Sequence, residues 1–337
     1  MGRKQGPRKG SMQVWPRKRS HDFLPRTNWK PILSRLSNTS TKPTISATNS
    51  SLKTNFLGFI GYKAGMASAF VKDNTADSMT KNKRIILPVT ILECPSMKIL
   101  AVRFYKNNKV SKEILNEVLE KELKRVIRMP KNKINAKELI EKVKLEDFDD
   151  VKAVVYSEVK KTGLKKTPDI AEIAISGIKQ EKLDFIKNNL NKEITINDVF
   201  VKGLVDVRGI TKGKGFEGAV QRFGTRLRFH KSEKGVRRLG SIGAWHPIGV
   251  RFRVPMPGQM GFHTRMCLNL PILTSKKLDE KDNIVKKVFT NYGNVKSDFI
   301  ILIGSVQGSE KRQLLITTAL RPSKKQVKKN YELIELR

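Results

Sequence analysis

The residues best suited to bind a ligand lie in one segment of the chain, 208–265. It contains thirteen basic residues and two acids, Glu217 and Glu233. Glycines recur through it, and a glycine-rich backbone can approach a ligand closely and adopt unusual φ values. Arginine side chains bind phosphate or stack on bases. Because a segment of this composition cannot bury a core, we predict that it threads between the phosphates of a nucleic acid.

The run 240–247 places Trp245 between glycines within this basic segment. An indole at the end of a charged, glycine-rich loop is poorly suited to water and well suited to contact with nucleobases. The alternative is that Trp245 folds back onto the rest of the protein. Composition alone leaves both positions open.

A nucleotide-binding loop is a competing interpretation of the same segment. The run 213–218 matches the pattern G-x-G-x-x-G and follows a predicted strand. A dinucleotide site needs an apolar-faced helix that begins at the third glycine, so that its N-terminus meets the pyrophosphate. The residues after Gly218 are instead interrupted by Gly224 and carry several arginines. The run 209–215 is one residue short of a Walker A loop and has glycine where Ser or Thr must hold magnesium. A nucleotide-using enzyme is therefore disfavoured but stays open.

Catalytic and metal-binding constellations are not visible. The four histidines show neither H-x-H nor H-E-x-x-H spacing, and the acids concentrate away from the basic segment. The two cysteines, Cys94 and Cys267, form no C-x-x-C pair. We predict that the protein is not an enzyme, with no catalytic residue, no metal and no cofactor.

The charge of the whole chain points to the same class of partner. Its 337 residues include 68 Lys+Arg and 31 Asp+Glu, a formal net charge of +37. A compact protein tolerates such self-repulsion beside a permanent polyanion, and nucleic acid is the first candidate. No apolar run approaches the length of a membrane helix, so we expect no membrane association. A protein that compacts DNA would share this charge, and it remains the alternative; it would coat duplex DNA without preference and with a steep salt dependence.

The N-terminal residues 1–50 are typical of an arm rather than a domain. They carry eleven basic residues and one acid, Asp22, without an apolar period. The first half interleaves cations with Trp15, a composition typical of segments that become ordered on RNA.

Residues 111–200 have a different character, with nineteen basic and seventeen acidic side chains. This balance is typical of an ordinary solvated α+β module. Apolar residues at helical spacing predict a helix over 111–129, with Pro130 as its stop. The patterns also predict helices over 136–145 and 181–190 and strands over 151–156 and 170–175.

Short β-branched or aromatic runs flank this block on both sides. They predict strands over 56–62, 66–71, 85–92, 98–105, 204–211, 299–303 and 313–318. Such an arrangement suggests a mainly β protein in which the two ends of the chain build one barrel and an α+β insertion hangs from it. The predicted division is a basic N-terminal arm (1–53), a β-barrel core (54–110, 196–215 and 266–337), an α+β insertion (111–195) and a basic central loop extension with the Trp tip (216–265).

Several motifs resemble those of one family. The most specific lie at 206–218, 243–247 and 257–265, and further matches lie at 7–11, 16–19, 59–66, 291–299 and 304–312. Together they resemble the ribosomal protein L-three family of the large subunit, in its archaeal and eukaryotic form. The block 111–200 matches this family in position and character alone.

The resemblance implies a fold and a function. Members have a six-stranded barrel of the translation-protein kind with an α+β insertion, bind large-subunit rRNA during early assembly, and reside in the cytoplasm. Their central loop extends toward the peptidyl transferase centre, with the tryptophan that matches Trp245 at its tip. The implied neighbours are ribosomal proteins L-fourteen and L-twenty-four-e, and no homo-oligomer is expected.

The residues that we expect to contact rRNA belong to the two cationic segments. From the arm they are Arg8, Lys9, Trp15, Arg17, Lys18 and Arg19. From the central segment they are Arg208, Lys212, Lys214, Arg222, Arg226, Arg228, His230, Lys231, Lys234, Arg237, Arg238, Trp245, His246, Arg251, Arg253, Gln259, His263 and Arg265.

Overall fold

The protein, in a computed structural model, divides into two packed units. The structure describes residues 15–39, 54–130, 135–231, 234–246, 248–251, 254–277 and 288–337. Unit 1 takes in the described residues up to Phe23 together with Ile210–Arg265. Unit 2 comprises Leu24–Gly209 and Met266–Arg337.

Strands dominate the described residues, which confirms the prediction of a mainly β fold. Their bounds are β1 Gly58–Asp73, β2 Arg84–Glu93, β3 Met97–Lys106, β4 Lys109–Leu115, β5 Asp150–Ser157, β6 Ile170–Ala174, β7 Leu204–Ile210, β8 Gly215–Glu217, β9 Gly258–Met260, β10 Thr264–Lys276, β11 Phe299–Ile303, β12 Gln313–Thr318 and β13 Tyr331–Leu336.

The larger sheet has the order β12-β7-β10-β11-β2-β1-β13, and β12 also pairs with β1. Strand β1 is long enough to serve three neighbours. It pairs with β2 along one edge, while its other edge pairs first with β12, from Gly58 to Tyr62, and then with β13, from Ala69 to Asp73. The two predicted strands 56–62 and 66–71 are thus one strand, with a register shift between Lys63 and Gly65.

The smaller sheet has the order β4-β3-β5-β6, and it lies in unit 2. Its hairpin β3–β4 turns at Asn107 and Asn108, which both have positive φ, 49° and 64°. Two consecutive left-handed residues make the turn type that matches the twist of a two-residue hairpin, and Asn tolerates that conformation. The hairpin therefore begins N-terminal to position 111.

The predicted helix over 111–129 is wrong. Residues Lys109–Leu115 form β4, in register with β3, and Lys121–Arg125 form a single 3₁₀ turn. The apolar side chains that suggested a helical stripe are used differently: Leu123 is buried with Leu100 and Tyr156, and Leu115 and Leu119 pack against the same cluster. The turn at 107–108 fixes the register of β4 on β3. The apolar side chains of 115–123 therefore reach the cluster without forming a helix.

The remaining helices are short. Their bounds are α1 Lys30–Thr39, α2 Ala136–Glu141, α3 Lys179–Asn189, α4 Ile196–Val199, α5 Ala219–Phe223 and α6 Lys324–Val327. Helices are confirmed near 136–145 and 181–190, and strands near 151–156 and 170–175, although α2 ends earlier than predicted. Among the described residues no helix is both long and apolar enough to cross a membrane.

Unit 2 is held by three hydrophobic clusters and by hydrogen bonds to the buried carboxylate of Asp206. The main cluster joins both sheets through side chains such as Phe59, Ile99 and Val155. Asp206, fully buried on β7, accepts hydrogen bonds from the backbone N–H of Asn269 (2.8 Å) and of Leu320 (2.9 Å). A buried carboxylate is tolerated when donors satisfy its oxygens. Asp206 therefore fixes β7, the strand that leads into residue 210 of unit 1.

Candidate nucleic-acid interface

A two-stranded ladder sets the base of the central loop in unit 1. Strands β8 and β9 pair antiparallel, with Gly215 opposite Met260 and Glu217 opposite Gly258. The backbone N–H of Lys214 donates to the carbonyl oxygen of Met260 at 3.0 Å. The two ends of the stretch 218–257 are consequently held side by side, although this stretch contains no further strand among its described residues.

The frame continues through Thr211 and His263. The N–H of Thr211 donates to the carbonyl oxygen of His263 at 3.0 Å, and the N–H of His263 donates to Thr211 Oγ1 at 3.2 Å. Gly261, with φ +71°, lies between these contacts and the ladder, and a Cβ there would lie 2.1 Å from the carbonyl oxygen of Lys212. The two chain segments can approach this closely because residue 261 has no side chain.

Helix α5 shows why the G-x-G-x-x-G match is not a dinucleotide site. A helix does begin directly after Gly218, but it has five residues and ends at Gly224, whose φ is +64°. The strand before it, β8, is antiparallel to β9, whereas a dinucleotide site uses a parallel β-α-β unit. The short helix instead positions Arg222 and the buried Phe223.

The arm residues of unit 1 pack on the same frame. The N–H of Ser20 donates to the carbonyl oxygen of Phe262 at 2.8 Å, and Nδ1 of His263 lies 3.0 Å from the carbonyl oxygen of Lys18. The hydroxyls of Ser20 and Thr264 are 3.2 Å apart. The structure thus brings together residues 17–20 of the arm and 262–265 of the central segment. The sequence analysis predicts rRNA contacts in both.

Two phenylalanines support the cations of this region. The guanidinium carbons of Arg17 and Arg222 lie 4.7 Å and 5.1 Å from the ring centre of Phe223. Arg19 lies 5.0 Å from the ring centre of Phe262, and Phe23 meets that ring edge-on at 5.8 Å. Stacking of guanidinium on an aromatic face is favourable and restricts where the charge points.

The sequence predictions missed Phe223 and Phe262. The signal that could have found them is adjacency, because Phe223 follows Arg222 and Phe262 precedes His263. An aromatic residue next to a predicted phosphate contact is a candidate platform for it.

Hydrogen bonds fix the Arg222 side chain. Its Nε donates to the carbonyl oxygen of Gln259 at 3.1 Å and its Nη1 to that of Met256 at 2.7 Å. Its guanidinium also covers Gly258, where an added Cβ would meet Nη1 at 3.0 Å. Gln259 in turn donates from Nε2 to the carbonyl oxygen of Gly261 at 3.1 Å. Arg222 is therefore positioned before any ligand arrives.

The stretch between β8 and β9 exposes several aromatic and apolar side chains. Trp245 is 80% exposed and meets the His246 ring edge-on, with ring centres 6.3 Å apart. Ile248 and Phe229 are also largely exposed. The indole lies in solvent, so the alternative in which it folds back onto the chain is not what this structure shows.

Arg228 is hydrogen-bonded to residues that follow it in the same stretch. The N–H of Arg228 donates to the carbonyl oxygen of Val236 at 2.9 Å, and Nη2 of Arg228 donates to the carbonyl oxygen of Leu239. His230 is exposed, with its ring centre 4.3 Å from that of Phe229. Among the described residues of unit 1, the exposed basic side chains are those of Lys18, Arg19, Lys212, Lys214, Arg226, Lys231, Lys234, Arg237, Arg238 and Arg251.

Other predicted contacts lie elsewhere. Arg208 is on β7 in unit 2 and is half-buried, and this burial lowers the pKa of its guanidinium while Asp206 raises it. Trp15 is half-buried in unit 1. Arg8, Lys9 and Arg253 lie outside the described residues.

Cations surround His263. Burial lowers the pKa of its imidazole, the Lys18 carbonyl oxygen raises it, and the charges of Arg265, Arg17 and Arg222 lower it further. Burial likewise lowers the pKa of Arg222 and of Arg265. An anion placed among these groups would relieve their mutual repulsion.

Comparison with known proteins decides the family. A sequence model of the family described as Ribosomal protein L3 matches residues 1–337. The chain is 38% identical over 334 residues to the large ribosomal subunit protein uL3 of Methanocaldococcus jannaschii, covering 96% of this chain and 93% of that relative. It is 37% identical over 332 residues to uL3 of Nanoarchaeum equitans, covering 96% and 94%. For uL3 of Pyrobaculum calidifontis the values are 38% over 333 residues, covering 95% and 93%.

The chain belongs to the ribosomal protein L3 family. The resemblance drawn from the motifs is therefore confirmed, as is the prediction that the protein is a ribosomal protein of translation rather than an enzyme. In unit 1, cations, glycines and exposed rings are arranged around backbone hydrogen bonds.

Proposed function

We propose that this protein is a structural constituent of the large ribosomal subunit in the cytoplasm, where it binds large-subunit rRNA through unit 1 and supports early assembly. The names of the relatives place those proteins in the large subunit. The net charge of +37 supports rRNA as the ligand, because a polyanion neutralises it. Phosphate contacts from the exposed basic residues provide affinity, and aromatic side chains provide stacking surfaces.

The observation that carries the proposal is the loop between β8 and β9. Its base is fixed by the ladder, while Trp245, within a stretch rich in arginine and lysine, is exposed. Exposure of a large indole costs free energy in water and is offset when a base or ribose covers it. We propose that this loop extends within the subunit toward the peptidyl transferase centre, with Trp245 against rRNA there.

Unit 2 is the structural support in this proposal. Six strands of the larger sheet pair one with the next, in the order β12-β7-β10-β11-β2-β1. The additional pairing of β12 with β1 supports a barrel of the translation-protein kind. The proposed division keeps the arm (1–53), barrel, insertion (111–195) and loop (216–265) as predicted. Ribosomal proteins L-fourteen and L-twenty-four-e are the proposed neighbours, and the protein is proposed to act without self-association.

Sedimentation tests the proposal against the alternative of a DNA-compacting protein. Cell extract is centrifuged through a sucrose gradient in high salt, and the protein is followed with an antibody. We expect comigration with the large subunit, because a protein enclosed by folded RNA resists salt better than a nonspecific coat does. Release into the light fractions, or migration with DNA, would rule the proposal out.

Replacement of the indole tests the role of the tip. Trp245→Ala should leave unit 2 folded but reduce incorporation into mature subunits or slow peptide synthesis by those subunits, measured by gradient profile and by translation in vitro. Met79→Ala is a matched control, because Met79 is 96% exposed in unit 2. Normal assembly and normal translation with Trp245→Ala would remove the proposed role of the tip.

A further inference from the structure

Unit 2 contains a cavity of about 650 Å³ that is lined by α1, α6 and the strands β10, β11 and β12. The residues just before β7 and the first residue of β13 complete its wall, and all of these residues belong to unit 2. Sites that enclose most of a small ligand have volumes of roughly 300–1,000 Å³. The cavity is therefore large enough for a molecule of the size of one nucleotide.

The charged side chains around this cavity are basic. Among the described residues that line it, four are basic and none is acidic: Arg35, Lys202, Lys328 and Lys329. The three lysines are exposed, whereas Arg35 is half-buried and donates from Nη1 to the carbonyl oxygens of Ala319 and Leu320. Such a rim favours a ligand that carries negative charge and disfavours a basic protein segment.

Much of the wall is apolar. Ile272 and Leu273 of β10 are buried, and Ile303 of β11 and Val327 of α6 are half-buried around the same space. Tyr331, the first residue of β13, is also half-buried and lines the cavity. Flat ligands bind among apolar and aromatic side chains, and unstacked nucleobases stack on tyrosine rings. The wall therefore suits a base, while the rim suits its phosphates.

Two polar atoms of the wall have unused hydrogen-bonding capacity. Thr318 Oγ1 and Gln326 Oε1 are shielded from solvent and have no hydrogen-bond partner among the described residues. A shielded polar atom without a partner costs free energy, which a bound donor or acceptor recovers. Both residues line the cavity, and rotation of each side chain turns its oxygen toward a ligand there. The edge of a nucleobase carries donors and acceptors, so it matches a hydroxyl and an amide oxygen.

From these observations we propose that the cavity binds one unstacked nucleotide of an RNA strand. The base lies beside Tyr331, its polar edge pairs with Thr318 and Gln326, and the flanking phosphates lie at the lysines of the rim. The identification of this strand as large-subunit rRNA rests on the proposed function, whereas the cavity rests on the residues of unit 2 alone. Unit 2 then binds RNA in its own right, by enclosing a base, in addition to its structural role.

Magnetic resonance of methyl groups in the full-length protein tests the site. The protein is titrated separately with adenosine monophosphate, with ribose phosphate, which lacks the base, and with a short single-stranded RNA. We expect adenosine monophosphate and the RNA to shift the methyl signals of Ile272, Ile303 and Val327, because an enclosed aromatic base changes the magnetic environment of the groups around it. Ribose phosphate should bind at least about fivefold more weakly, since it has no ring to stack. The methyl signals of Ile248, which is exposed in unit 1, report binding of RNA outside the cavity.

Removal of one hydroxyl gives a second readout. Thr318→Val keeps nearly the same side-chain shape, so the affinity for the RNA measured at Ile303 should fall about threefold to tenfold. Because the Thr318 hydroxyl has no partner in the free protein, the midpoint of thermal unfolding should not fall. The two measurements together separate a lost ligand contact from a damaged fold.

A matched pair of lysine variants tests the rim. Lys328→Gln combined with Lys329→Gln should weaken binding of the RNA about fivefold, because both side chains lie at the cavity. Lys324→Gln combined with Lys325→Gln removes the same charge from exposed positions of α6 that do not line the cavity. This control should change the affinity less than about twofold, since charges beyond the screening length contribute little.

The remaining outcomes overturn the proposal. Equal affinities for ribose phosphate and adenosine monophosphate would show that no base is enclosed, and binding of adenosine monophosphate without binding of the RNA would reassign the cavity to a free nucleotide. Shifts at Ile248 alone would restrict RNA binding to unit 1 and leave a protein segment as the occupant of the cavity. Unchanged affinity or a lower unfolding midpoint in Thr318→Val would remove the contact to the base edge, and equal losses with the two lysine pairs would show that charge alone matters. These titrations use the isolated protein, so their failure and a failure to sediment with the large subunit are distinguishable.

Discussion

The substitution Gly261→Ala tests the claim that one close approach holds the base of the loop between β8 and β9. An added Cβ would lie 2.1 Å from the carbonyl oxygen of Lys212, whereas real Cβ contacts are essentially never shorter than 3.0 Å. The backbone must therefore separate there. In addition, φ at residue 261 is +71°, a conformation that an alanine adopts at a cost of roughly 1–2 kcal/mol.

The separation breaks specific bonds. The N–H of Lys214 would lose its 3.0 Å bond to Met260, at about 0.5–1.5 kcal/mol. With the conformational cost, the ladder should be destabilised by roughly 2–3 kcal/mol, and exchange of its amide hydrogens should be accelerated by roughly 30- to 150-fold. Exchange in the core of unit 2, for example at Ile316, should be unchanged.

Hydrogen exchange followed by magnetic resonance at the Lys214 and Thr211 amides measures this effect. Gly218→Ala is the matched control, because no atom outside its chain neighbours lies within 4 Å of the added Cβ and its φ is −69°. The control should shift exchange by less than about fivefold, since it introduces neither a clash nor a positive φ, and the change from glycine to alanine at a helix N-cap costs about 1 kcal/mol at most. Unchanged exchange in Gly261→Ala would refute the reasoning, as would equal acceleration in the two variants.

Two further predictions concern unit 2. Burial raises the pKa of Glu158, but hydrogen bonds from Lys161 and Lys98 lower it to about 2, below its ordinary value of 4.5. A lowered pKa contributes stability above pH 4.5 that is lost as the pH falls toward 2. Urea unfolding should therefore show a shallower loss over that range for Glu158→Gln than for the wild type; parallel curves would contradict this. Asn108→Gly should stabilise the β3–β4 hairpin by about 0.5–1 kcal/mol, because the turn with Asn107 requires two left-handed residues. Asn108→Ala should destabilise the hairpin, and thermal unfolding of both variants measures the two effects. A lower melting temperature for both Asn108→Gly and Asn108→Ala would count against the turn assignment.

Much of the strand content could be predicted from local sequence. Runs such as 299–303 and 313–318 are short segments rich in β-branched and other apolar residues, and the structure places strands there. Strands β10 and β13 were not predicted. The first contains Pro271 and a left-handed Asn269, and the second carries two glutamates. Both depend on partners far away in the chain, which local patterns do not reveal.

The sequence predicted which segment contains the candidate site, but not which residues contact one another within it. Charge and glycine content singled out 208–265 as the candidate segment, and Trp245 within it is exposed. No local pattern could show that the carbonyl oxygen of Lys18 meets His263, since those residues are 245 positions apart. Helical spacing was misleading at 111–129 because apolar residues also recur at that spacing where a strand, a loop and a 3₁₀ turn share one cluster.

The pairing of β1 has a consequence for how the nascent chain folds. Strand β1 leaves the exit tunnel well before its partners β12 and β13, which lie far C-terminal to it in the chain. The smaller sheet is complete once Ala174 has been synthesised, since all its pairings lie within 97–174. One edge of β1 thus stays open through most of translation, and an open edge attracts other strands. The newly made chain is therefore exposed to aggregation until β12 and β13 are synthesised and occupy that edge.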